Sequence, residues 1–146
     1  MIRLVTLMMF GMALVATLAE AYSTRIHVTA KIVETTLIGD PDTPKIGDQR
    51  ITSVDLFDEN EEKVGTGSGM CTLVTSPGPD ALVQCFITAV FANGQLIFGG
   101  SAPVPDIGAV GHFGIMGGTG DFRRAHGEAT LVVLSPELQD ATFDLE

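Results

Sequence analysis

The chain has 146 residues, with 8 Lys and Arg against 18 Asp and Glu, giving a formal charge of −10 at pH 7. Only Arg123 and Arg124 adjoin, and a phosphate-binding groove needs clustered cations, so composition excludes nucleic acid and anionic membrane as partners. Two cysteines with no histidine near them in sequence argue against a metal site.

In chain order, Arg3 precedes an almost wholly apolar run at residues 4–18, and Ala19-Glu20-Ala21 supplies the small residues that a signal peptidase reads. This predicts a secretory signal cleaved after Ala21. The alternative, a membrane anchor, needs about 20 apolar residues. Cleavage removes Arg3 and Glu20, leaves the charge unchanged and frees residues 22–146 as one secreted domain without membrane contact.

No later window holds an apolar stripe at helical spacing, and short β-rich runs between turn residues predict an all-β class. Residues 25–36 alternate, with Ile26, Val28, Ala30, Ile32 and then Glu34 on one face. Glu34 is there either as a cavity acid or as the first polar residue where the strand leaves the core. After the loop GDPDTPKIG at 39–47 come strands at 50–57 and 64–75, around a polar turn at 58–63. CTLVTSPGPDALVQC follows, centred on Pro77-Gly78-Pro79. Folding about Gly78 sets Cys71 opposite Cys85, which in an oxidising compartment predicts a cross-strand disulfide; two free buried thiols are the alternative. The strand at 81–92 turns at Asn93-Gly94 into 95–98, and a Pro-containing loop at 102–109 leads to a strand at 110–116. A final strand at 122–134 and an acidic tail, itself a candidate edge strand, complete seven or eight strands in meander order. These close as a barrel or stack as a sandwich.

GGTGDFRRAHGEA at 117–129 resembles the GGTG-x-F-x-x-A-x-G-x-A signature of dirigent proteins. VGTGSGMC at 64–71 is similar to a segment shared by dirigents and allene oxide cyclases, and AVFANGQLIFGGSAP at 89–103 is similar to the strand-turn-strand before that signature. The resemblance implies an eight-stranded antiparallel β-barrel, usually a homotrimer, around an apolar cavity that constrains a reactive small molecule. Allene oxide cyclases fold an epoxide into one cyclopentenone enantiomer, whereas dirigents steer coupling of radicals made by a partner oxidase. Where the dirigent pocket has an Arg this chain has His126, and the acidic partner of that Arg falls on His112. Thr52-Ser53-Val54 replaces the dirigent Asp-Asp-Pro loop. Against the cyclases, Glu34 matches the first-strand Glu and Cys71 the Cys, while the pocket Asn falls on Val54 and the pocket Tyr has no counterpart.

A GGTG turn centred on Thr119 would set His112 opposite His126, with their Cβ atoms about 5 Å apart. Arg124, His126 and Glu128 would then share one face. Two imidazoles in contact resist double protonation, so one could act as base and the other as acid, with Glu34 stabilising a developing cation. The plainer alternative is a solvent-facing pair at a barrel mouth. Phe98, Phe113 and Phe122, with Arg124 and Glu128, are the candidate ligand contacts. The sequence therefore predicts a cofactor-free cyclase or isomerase acting on an apolar substrate. The alternatives are a dirigent-type auxiliary and a plain ligand-binding barrel.

Overall fold

The computed structural model describes residues 23–146, so the signal-peptide expectation lies outside the described residues. Eight strands follow in order: β1 (Thr24–Ile38), β2 (Gln49–Phe57), β3 (Lys63–Leu73), β4 (Leu82–Phe91), β5 (Gly94–Pro103), β6 (Val110–Gly118), β7 (Gly127–Ser135) and β8 (Leu138–Leu145). Each pairs antiparallel with the next, and β8 returns to β1, closing an eight-stranded antiparallel β-barrel. Of the two all-β alternatives the barrel is the one formed, and closure leaves no unpaired sheet edge.

Period-two patterning decides which side chains face inward. On β4, Val83, Cys85 and Ala89 are buried while Gln84 and Phe86 are exposed. The acidic tail follows the same rule and is the closing strand. Ala141 and Phe143 are buried within it, whereas Asp140 and Asp144 point outward to bond His27 and Arg25, each at 2.6 Å. Cys71 stands opposite Cys85 and Leu73 opposite Val83, as folding about Gly78 requires, and Cys71 and Cys85 form a disulfide.

Two of the local departures from regular pairing decide where the expected site residues lie. In β1 the pairing runs Ile32↔Val54 and then Glu34↔Ser53, so Val33 is an extra bulge residue. A bulge reverses the alternation beyond it. Glu34, expected to continue the inward row, instead shares the outer face with Ser53 and is exposed. The second departure is the β6–β7 connection. Instead of a tight hairpin about Thr119, the chain makes a short 3-10 turn at Gly120–Phe122 and does not resume a strand until Gly127. Its Phe122 side chain is buried, 5.8 Å from the Phe91 ring centroid. Burying a phenyl side chain is worth roughly 2–3 kcal/mol, more than a tighter turn would return. Gly120, at φ +60°, permits the turn, since a Cβ there would run into the Asn93 carbonyl. The wider connection shifts the β6–β7 register.

In this up-and-down order the loops after β1, β3, β5 and β7 gather at one end of the barrel and those after β2, β4 and β6 at the other. The second end is closed by rings. Phe113, Phe98, Phe143, Phe91 and Phe122 follow one another with neighbouring centroids 5.2 to 6.4 Å apart, in tilted and edge-on contacts that aromatic pairs favour.

Candidate active site

The other end is open. An inner chamber of about 120 Å³ lies within the barrel, walled by Ala30, Val54, Val83, Ile87, Ala89 and Leu131 and floored by Phe98, Phe113 and Phe143. An outer chamber of about 370 Å³ continues it to the loops, between residues 37–41 and 104–106 and the Pro77-Gly78 turn. Both chambers are lined by Arg50, Cys71, Val83 and Pro105. Together they reach the few-hundred-Å³ scale of small-molecule sites.

The glycines of VGTGSG explain part of this shape. Gly65, Gly67 and Gly69 fall on the same side of β3 as Cys71, so that stretch presents backbone instead of side chains, and Val54 and Ile87 close over it. A Cβ at Gly67 would lie 2.8 Å from Val54 Cγ2, and one at Gly69 would lie 3.1 Å from Ile87 Cγ1.

The polar residues on the inward face of the strands around the inner chamber are Arg50 and Thr52 on β2 and Gln139 on β8. Ser68 and Thr88 also border it, from outward strand positions. Among the described residues, no Asp, Glu, His, Tyr or Lys lines the inner chamber. Asp40, Asp48 and Asp106 line the outer one. The Thr43 hydroxyl, at 2.8 Å, and the Asp42 N–H both donate to Asp40 and hold its carboxyl below the usual range.

The expected histidine pair does not form. His112 stands opposite Thr130 on the outer wall, because Phe122 widens the connection and leaves His126 just before the start of β7. His112 Nδ1 bonds Glu128 Oε1 at 3.0 Å, and these side chains are 63% and 60% exposed. His126 Nδ1 donates to the Arg124 carbonyl at 3.2 Å, and Arg124 is exposed in the same connection. The two imidazoles are not partners, so the shared-proton argument falls with the contact. Arg124 and His126 precede β7, so the common strand face expected for Arg124, His126 and Glu128 is not formed either.

None of His112, His126, Glu34, Arg124 or Glu128 lines either chamber. Of the expected aromatic contacts, Phe98 and Phe113 reach the inner chamber and Phe122 lies beyond its floor. The cystine joining Cys71 and Cys85 forms part of the wall.

Sequence reading passed over Arg50, Thr52 and Gln139. Alternation held the signal for the first two, since Arg50 and Thr52 share a face with Val54 and Leu56. Substituting His112→Ala or His126→Ala should shift stability by no more than about 0.5 kcal/mol, as for exposed surface positions. Denaturant titration of both variants checks this, and a loss several times larger would mean that the outer wall is not their environment.

Residues 23–143 match the allene oxide cyclase barrel like domain, and the chain belongs to that family. Solved structures with the same fold include a pyocyanin demethylase, at TM-score 0.70 and 22% identity, covering 83% of this chain and 99% of the other. A second is AbnU, an exo-specific intermolecular Diels-Alderase, at TM-score 0.72 and 17% identity, covering 85% and 98%. A third is the Diels-Alderase AbmU from Streptomyces koyangensis, at TM-score 0.69 and 18% identity, covering 84% of this chain and 63% of the other. No curated protein sequence matches the chain.

Proposed function

We propose that this barrel is a secreted, cofactor-free cyclase or isomerase that encloses an apolar small molecule and fixes the geometry in which it closes a ring. The observation that carries the reading is the apolar chamber, open at one end and closed at the other by a cluster of tilted and edge-on phenyl rings. Its described lining holds no carboxylate or imidazole. A reaction there would draw on orientation: a bound, folded substrate has already lost the freedom that slows ring closure in water, an effect that can reach several kcal/mol. Cycloadditions need no proton transfer, and the Diels-Alderase neighbours share this fold. The disulfide is compatible with secretion.

Native mass spectrometry of the protein isolated from its own host tests the chamber. One small molecule per chain is expected, and Ala102→Trp, which projects a large ring from a buried lining position, should expel it. A protein empty in both forms would overturn the reading.

The outer wall supports self-association into the trimer that the family resemblance implies. Ile51, Met70 and Phe86 are register neighbours on β2, β3 and β4, exposed by 40%, 41% and 54%. The row continues to Gly99 on β5, which Met116 flanks. Across the barrel, β7, β8 and β1 carry Glu128, Asp144 and Arg25 in one outward row. A contiguous apolar patch of this kind marks an interaction surface. Light scattering should give three chains for the native protein and one for Met70→Glu/Phe86→Glu; a monomeric native protein would refute the trimer.

A further inference from the structure

We infer that the ligand is an amphiphile, with its apolar body in the inner chamber and a single negative charge, on a carboxylate or an enolate oxygen, held by Arg50. This rests on the reading of the barrel as a ligand chamber. Among the described residues, Arg50 is the one cation lining either chamber. Its register partners are Leu37 on β1 and Cys71 on β3, and Val83 and Pro105 are the other residues common to both chambers. The ion pairs among the described residues engage Arg25, His27, Lys63 and His112, and none engages Arg50. Among the described residues no side-chain hydrogen bond engages it either.

An arginine placed inward without a counterion offers five N–H donors to whatever enters. Arg50 stays exposed at the mouth, where an entering anion can meet it, and its planar fork fits two oxygens of one head group. The acidic residues of the outer chamber select against other anions. Asp48 receives the Lys45 N–H at 2.9 Å, Asp40 stays ionised through Thr43 and Asp42, and Asp106 completes a negative rim on a chain of charge −10. A free phosphate or a polyanion would be repelled at this rim. An anion attached to an apolar body gains from burial of that body and can reach Arg50.

Titration calorimetry of the full protein with decanoate, decanol, the decyltrimethylammonium ion and a decanoylated cyclic diketone, which is an enolate at neutral pH, tests this. At least one of the two anions should bind about tenfold or more tightly than decanol, the ammonium ion should bind more weakly, and the tighter anion names the head group. Arg50→Met should bring that anion down to decanol's affinity and leave decanol unchanged, whereas Arg50→Lys should keep part of the preference. If decanol or the ammonium ion matches both anions, or Arg50→Met leaves the preference intact, the head-group assignment is wrong while the chamber reading stands. If no decyl compound binds, the chamber reading itself fails.

Discussion

Replacing Phe143 with alanine is expected to destabilise the barrel by about 3–5 kcal/mol, the range for emptying a phenyl-sized core site. Phe143 is 1% exposed, its ring centroid lies 5.2 Å from that of Phe98 and 6.4 Å from that of Phe91, and it sits on the strand that closes the barrel. Total stabilities of about 5–15 kcal/mol leave little after such a loss. Urea titration measures it. The void would open into the inner chamber, which Phe143 floors, so benzene or toluene should recover part of the stability by filling it. A loss below about 1 kcal/mol would mean that the ring stack is not what closes that end.

The second large effect belongs to the cystine. Cys71 and Cys85 are 14 residues apart, and a loop of that length predicts a loss of about 3 kcal/mol for Cys71→Ala/Cys85→Ala. For a barrel of this size the melting temperature should fall by on the order of 10 °C. The loss should also be local. The hairpin tip at residues 74–81 belongs to the mouth, and hydrogen exchange there should rise in the double variant while β7 and β8 stay protected. Unchanged melting would show that the strand pairing alone holds the hairpin.

Much of the architecture was legible because period-two burial and turn chemistry are local signals. The Cys hairpin, its register and the meander all follow from residues a few positions apart. What escaped depends on contacts distant in sequence. Val33 becomes a bulge residue only because β2 pairs past it, and that single insertion carries Glu34 to the outer wall. Phe122 widens the β6–β7 connection because Phe91, far from it in sequence, offers its ring a buried place, and the histidine pair is lost with the changed register. The family signature at 117–129 thus marked the fold correctly while pointing the eye at residues that the barrel keeps outside. Arg50 was overlooked for a simpler reason: an arginine at the start of a strand ordinarily faces water, so its place in the same row as Thr52, Val54 and Leu56 went unweighed, and the closed barrel sets it, still exposed, at the mouth.

Thr24 and Leu145 are paired neighbours at the ring-closed end, away from the mouth. A carrier protein, affinity handle or solid support attached beyond either residue would therefore hold the barrel by its base and leave the opening facing solution.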